Sequence, residues 1–190
     1  MLLELIRTVP FADRDEWVDT LIGIDVSSPE DDPTLPRGAV PYLPCGVDEI
    51  LAMVVDVPLR EKDELVDLGS GLGRVAILGH LLSGARAHGV EIQEHLVHAA
   101  RGYAGELALP AVSFVCANAA EVELHGTVFF LYAPFNGEML RRVLRQLRDV
   151  AERSPIVVCA VGVELGGEEW LALRKRSCAA MIVYDSRTAS

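Results

Sequence analysis

The stretch Val66-Asp67-Leu68-Gly69-Ser70-Gly71-Leu72-Gly73-Arg74 decides the reading of this chain. Its apolar start predicts a short buried strand that ends in an acid, and glycines at every second position predict a tight turn into a helix. Glycine tolerates positive φ and leaves the backbone bare enough for a ligand to approach, while a helix start offers unpaired N–H groups to an anion. A cofactor loop is the functional reading, and a glycine turn without a ligand is the bland one, because such a motif alone is weak. Dinucleotide loops place their third glycine three residues after the second, where Arg74 stands here, so the spacing speaks against a nicotinamide-dependent oxidoreductase.

Outward from this loop, short apolar runs alternate with longer amphipathic ones. The pattern predicts strands over residues 64–68, 86–91, 112–117, 127–132 and 155–161, and helices over 75–82, 94–106, 137–153 and 168–173. Such alternation is the signature of an α/β fold: a doubly wound, mostly parallel, Rossmann-like sheet of six or seven strands with helices on both faces. The tail, residues 170–186, fits either a helix followed by a strand or an antiparallel hairpin turning near Ser177-Cys178. Upstream, a helix is expected over 11–24, with Phe11, Trp17, Val18, Leu21 and Ile22 as its apolar residues. Five prolines at 29, 33, 36, 41 and 44 and the run Glu30-Asp31-Asp32 make 27–44 a loop, after which a helix runs from about Gly46 to before Pro58. This divides the chain into an acidic helical and proline-rich segment, 1–45, and a cofactor-binding domain, 46–190.

The 190 residues are 51% hydrophobic and 24% charged, which excludes a disordered or fibrous chain. A chain of this length buries roughly 70% of its unfolded surface and needs no cross-link to hold it together. Cys45, Cys116, Cys159 and Cys178 form no CxxC pair and no Cys/His pair at ligand spacing, and the histidines form no HxH or HExxH, so no metal site is expected. That pattern, with no leader-like amino terminus and no apolar run long enough to span a bilayer, points to reduced thiols and a cytoplasmic location. The net charge of −11 is lopsided: residues 1–66 hold fifteen acids against five bases, and residues 67–190 hold thirteen against twelve. An acidic first third disfavours nucleic acid and anionic membranes as partners there. Arg141, Arg142, Arg145 and Arg148 on the 137–153 helix interleave with acids and fit a solvated face better than a docking surface.

The segment VDLGSGLGR resembles the first motif of class I S-adenosylmethionine-dependent methyltransferases. The resemblance implies S-adenosylmethionine as cofactor, with Gly69, Ser70, Gly71 and Gly73 wrapped about its methionine half and Asp67 holding the amino-acid end. Glu91 follows Gly73 by eighteen residues at a strand end, where a carboxylate can accept from ribose hydroxyls. GVEIQEHLVHAAR resembles the second motif, which places Ile92 near the adenine. The third strand ends at Asn118-Ala119, where the family has Asp followed by a small residue beside the adenine amino group. Asn118 can still accept there, or it can simply be a turn residue.

The fourth strand runs into Tyr132-Ala133-Pro134-Phe135-Asn136, which resembles the family's substrate-facing fourth motif but lacks the Asn/Asp-Pro-Pro-Tyr form of amino-methylating nucleic-acid enzymes. Tyr132 and Phe135 are the candidate catalytic residues; as core aromatics they would only pack. VPYLPC at 40–45 and the helix after it resemble the entrance of Dot1-type lysine methyltransferases and their bacterial relatives, a likeness covering about residues 40–160. It implies Tyr42 as a lid over the cofactor, although Dot1-type enzymes have paired asparagines where Tyr132-Ala133 stands. The expected function is methyl transfer to an unidentified acceptor, with a protein side chain or a small molecule favoured. A non-catalytic nucleotide or S-adenosylmethionine binding module and an NAD-dependent oxidoreductase are the alternatives, and the oligomeric state is open.

Overall fold

A computed structural model describes residues 1–24, 29–177 and 180–187. Its strands are β1 (Glu64–Leu68), β2 (Arg86–Glu91), β3 (Val112–Cys116), β4 (Val128–Tyr132), β5 (Val157–Val161), β6 (Leu171–Arg176) and β7 (Met181–Ser186). Its helices are α1 (Leu2–Thr8), α2 (Arg14–Ile22), α3 (Val47–Asp56), α4 (Arg74–Ser83), α5 (Glu94–Glu106) and α6 (Gly137–Arg153). The strands form one sheet in the order β3-β2-β1-β4-β5-β7-β6. β1 to β5 run parallel, and β7 enters antiparallel between β5 and β6.

Sequence accounts for this arrangement. The middle strands, LVDL, VFFLY and VVCAV, are apolar on both faces because helices cover both sides of a parallel sheet. On one face, Leu65 and Phe130 pack with Ile6, Ile22, Ile50, Met53 and Ile77 of the amino-terminal helices and α4. On the other, Phe129, Leu131 and Val158 pack under Val143 and Leu147 of α6. β6 is an outer strand whose exposed end carries Arg174, Lys175 and Arg176, charges that blunt an open edge. All five expected strands are present, each starting or ending within two residues of expectation.

Two expectations change, and one that the sequence left open is decided. The 11–24 helix is a short 3-10 turn, Phe11–Asp13, followed by α2, and a further helix, α1, precedes it. A helix over 168–173 is absent, because Leu171 already pairs with Ser186 as β6 begins. So short a run has little periodic signal, and the partner strand decides its state. The tail is therefore the antiparallel hairpin, with Ser177 N–H donating to the Met181 carbonyl at 2.7 Å; Cys178 lies outside the described residues.

Candidate functional site

Open α/β sheets bind ligands beyond the carboxyl ends of their strands. Here a cavity of about 350 Å³ lies there, lined by the ends of β1, β2, β4 and β5, the 39–45 segment and residues 117–119. Tyr42, Asp67, Gly69, Ser70, Glu91, Ile92, Asn118, Ala119, Tyr132 and Phe135 all line it, so one space gathers residues from five separate stretches of chain. Gly71 and Gly73 are not among its lining residues.

The glycine loop takes its shape from β2. Gly69 and Ser70 N–H both donate to the Val90 carbonyl, at 2.8 and 3.1 Å, which turns the chain sharply at the end of β1. Gly69 has φ +82° and a side chain there would meet Pro134; Gly71 has φ +52° and a side chain there would run into the Tyr42 ring. A Cβ at Gly73 would lie 2.5 Å from Phe114, an interior neighbour, so this third glycine serves the packing of α4 against the sheet.

Two buried acids face the cavity and differ in their hydrogen bonding. Glu91 Oε1 accepts from Ile92 and Gln93 N–H at 2.8 and 2.9 Å, and Oε2 accepts from Gly71 N–H at 2.9 Å. A carboxylate offers about four lone-pair positions, so roughly one remains, on Oε2, for a ligand hydroxyl. Asp67 is 2% exposed, and its Oδ2 has no hydrogen-bond partner among the described residues; the same holds for Ser70 Oγ. Burial, and secondarily the charge of Glu91, pushes the Asp67 carboxyl up to about 8. Buried polar atoms are ordinarily satisfied, so two orphans in one cavity wall mark places for ligand donors. S-adenosylmethionine fits that demand, since its ammonium group donates hydrogen bonds and its positive charge would favour the ionised form of Asp67.

The Asn118 side-chain carbonyl accepts from Ala120 N–H at 3.0 Å, which makes it a turn residue as well as a lining one. Burial raises the Tyr132 hydroxyl above its ordinary value, helped by Cys45 and Glu49, and burial carries Tyr42 to about 12, so both phenols stay protonated at neutral pH.

Three features escaped the sequence reading. Arg74 is more than a mark of glycine spacing: its Nε donates to Asp19 Oδ1 at 2.8 Å, a second nitrogen bonds Asp19 Oδ2, and a third donates to the Cys45 carbonyl at 2.5 Å. The first turn of α4 is thereby tied to α2 and to the start of α3. Glu49 lines the cavity without a hydrogen-bond or ion-pair partner among the described residues. The proline-rich segment is also fixed across the cavity mouth: Val40 N–H donates to the Pro134 carbonyl at 3.1 Å and Asn136 N–H to the Gly38 carbonyl at 2.8 Å. Partners 55 or nearly 100 positions apart leave no periodicity in the sequence to find them by.

An RNA methyltransferase from Salinibacter ruber, in complex with S-adenosyl-L-homocysteine, shares this architecture: TM-score 0.61 and 29% identity, over 76% of this chain and 92% of that one. This is the class I S-adenosylmethionine-dependent methyltransferase fold. A putative RNA methyltransferase from Pyrococcus horikoshii has it too, with TM-score 0.61 and 12% identity over 93% of this chain and 98% of that one. So does magnesium protoporphyrin IX methyltransferase from Synechocystis with bound S-adenosylmethionine, with TM-score 0.57 and 14% identity over 75% and 77%. No family model and no curated protein matches the sequence. Among the described residues, no helix of this methyltransferase fold is long and apolar enough to cross a membrane, and no cluster of His, Cys, Asp and Glu could hold a metal ion.

Proposed function

We propose that the protein transfers a methyl group from S-adenosylmethionine to an acceptor that enters the cavity beside Tyr132. The observation that carries this reading is the pair of unpartnered buried atoms, Asp67 Oδ2 and Ser70 Oγ, in the wall of a strand-end cavity in a methyltransferase fold. When bound, the cofactor supplies a methyl already activated on a sulfonium, so the protein's part is alignment and exclusion of water. Asp67, Gly69 and Ser70 hold the amino-acid end, the free position on Glu91 takes a ribose hydroxyl, and Ile92, Asn118 and Ala119 surround the adenine. Gly71 and Gly73 shape the loop. Tyr132 presents its ring to the sulfonium and its hydroxyl to the acceptor, and Phe135 closes that side.

The Dot1-like entrance belongs to this proposal, with Tyr42 as the lid. Its support is the Tyr42 ring against Gly71 and the Tyr42 N–H held by Asp31. A protein side chain or small molecule carrying a neutral or basic nucleophile suits the acceptor end. Among the described lining residues Arg74 is the one Lys or Arg, and Asp19 and Cys45 occupy it, whereas Glu49 is free. An acceptor that is negative at the reacting atom would meet no free basic side chain among the described lining residues. Free thiols at the buried Cys45 and Cys159 support a reducing, cytoplasmic setting.

RNA is the second reading, favoured by the Salinibacter ruber neighbour. It also has a cationic surface to use: one carboxylate, Glu138, is shared by Arg141, Arg142 and Arg145 on α6. Incubation with methyl-labelled S-adenosylmethionine and cell extract, fractionated into protein, nucleic acid and small molecules, decides between them. Label in the protein or small-molecule fraction is the expected result, label in RNA moves the acceptor to the second reading, and label in none removes methyl transfer.

A further inference from the structure

A closed ring of contacts joins the glycine loop, the end of β2 and the proline-rich segment beside the cavity. Gly71 N–H donates to Glu91 Oε2, and Gln93 N–H donates to Glu91 Oε1. The Gln93 side chain then leaves the sheet: Nε2 donates to Asp31 Oδ1 at 2.9 Å, and Oε1 accepts from Asp32 N–H at 2.7 Å. The same Asp31 Oδ1 accepts from Tyr42 N–H at 2.7 Å. The Tyr42 ring lies where a side chain on Gly71 would be, which brings the ring back to its start.

Gln93 is 3% exposed, and both ends of its amide are used. Its orientation follows from its partners, because a backbone N–H needs the oxygen and a carboxylate needs the nitrogen. No hydrocarbon side chain could make either bond. The proline-rich segment is thus fastened at two places, by Gln93 just beyond β2 and by the 134–136 turn just beyond β4. Glu91 and Tyr42, the two groups this network holds, both line the cavity and meet at Gly71.

We propose that Gln93 and Asp31 are positioning residues of the cofactor site: through Glu91 and Tyr42 they set the separation between the glycine loop and the proline-rich segment. The inference rests on the methyltransferase reading of the cavity. Neither residue has to touch the cofactor for this role. The demand on Asp31 is for one oxygen that accepts two hydrogen bonds, which an asparagine carbonyl also satisfies. On Gln93 it is for a donor and an acceptor together, so glutamate, nearly the same size, loses the donor and faces Asp31 with like charge.

The test measures binding of S-adenosylhomocysteine to the full chain by calorimetry and amide exchange of the 38–45 segment by mass spectrometry. Asp31→Ala and Gln93→Glu should each weaken binding by about tenfold, as loss of one or two hydrogen bonds implies, and speed exchange around Tyr42. Asp31→Asn should keep both at the wild-type level, a rescue that a merely electrostatic role for the carboxylate would not give. Should Asp31→Ala fail to fold, Gln93→Glu reads the same contact from the other side. Unchanged affinity and exchange in the folded variants, or an Asp31→Asn variant as weak as Asp31→Ala, would overturn the proposal. A wild-type chain that binds no S-adenosylhomocysteine would instead remove the reading on which it rests.

Discussion

The two ends of the cavity are built differently. The end we assign to the cofactor draws mainly on short runs at the tips of adjacent parallel strands, Asp67, Gly69 and Ser70 at the end of β1 and Glu91 to Gln93 at the end of β2, and much of what it offers is backbone geometry. The end we assign to the acceptor is assembled from Tyr132 to Phe135, Met139, Val161, Gly162 and Ala180, pieces far apart in sequence. Ala133, Gly162 and Ala180 there have φ of 41°, 72° and 55°. Non-glycine residues in that region cost free energy and persist only where surrounding packing imposes them. On that assignment a cofactor common to many enzymes would be held largely by local motifs, whereas the groups that would choose an acceptor are brought together by tertiary structure.

The sharpest way to break the cofactor end is Gly71→Val. A β-branched side chain resists φ +52° and would also displace the Tyr42 ring, so S-adenosylhomocysteine binding should be lost in calorimetry while circular dichroism keeps the α/β signature. The next largest effect tests what joins that end to the amino-terminal helices. Arg74→Met leaves Asp19, itself 4% exposed, as an uncompensated buried acid. It should cost about 3–5 kcal/mol in urea denaturation, the usual range when one partner of a buried ion pair is removed.

Asp67→Asn should separate binding from stability. The folded chain holds a proton on Asp67 up to about pH 8, whereas the unfolded chain releases it near the ordinary 3.8. Across that window the native state binds more protons, so this group favours folding below pH 4 and loses its contribution as pH rises toward 8. The asparagine variant should therefore lose less stability than wild type between pH 5 and pH 8 in thermal melts, and bind S-adenosylhomocysteine more weakly. An identical pH slope in the two proteins would mean that Asp67 is ionised in the fold.

The smallest effect belongs to the acceptor end. Tyr132→Phe keeps the ring and loses the hydroxyl, and Tyr132→Ala loses both, so turnover should fall in that order. Only the alanine variant should lose cofactor affinity, by about 0.5–2 kcal/mol for the ring against the sulfonium. Wild-type turnover in Tyr132→Ala, on the acceptor found in the labelled extract, would leave this tyrosine as packing.

The same contrast explains what could be read from the sequence. The placement of Asp67, the glycine loop and Glu91 at strand ends was legible because strand, turn and helix follow one another within a few residues, and apolar alternation supplied the sheet around them. Arg74 was legible only as a departure from dinucleotide spacing, since its partner Asp19 is 55 positions away. Asp31 sits in an acidic, proline-rich run that looks solvated, and nothing local ties it to Gln93, 62 positions on. β6 was mistaken for a helix as one of two options because an outer strand of six residues takes its state from β7. α1, with seven residues and one buried side chain, has too little apolar stripe to announce itself.

Whether the strand-end cavity is an S-adenosylmethionine site is read from calorimetry of the full chain at pH 7.5 against S-adenosylmethionine, S-adenosylhomocysteine and NADH. One-to-one binding of both sulfur compounds, loss of both in Gly71→Val, and no heat from NADH are expected. Binding of NADH with neither sulfur compound bound, or sulfur-compound binding undiminished in Gly71→Val, would contradict that reading.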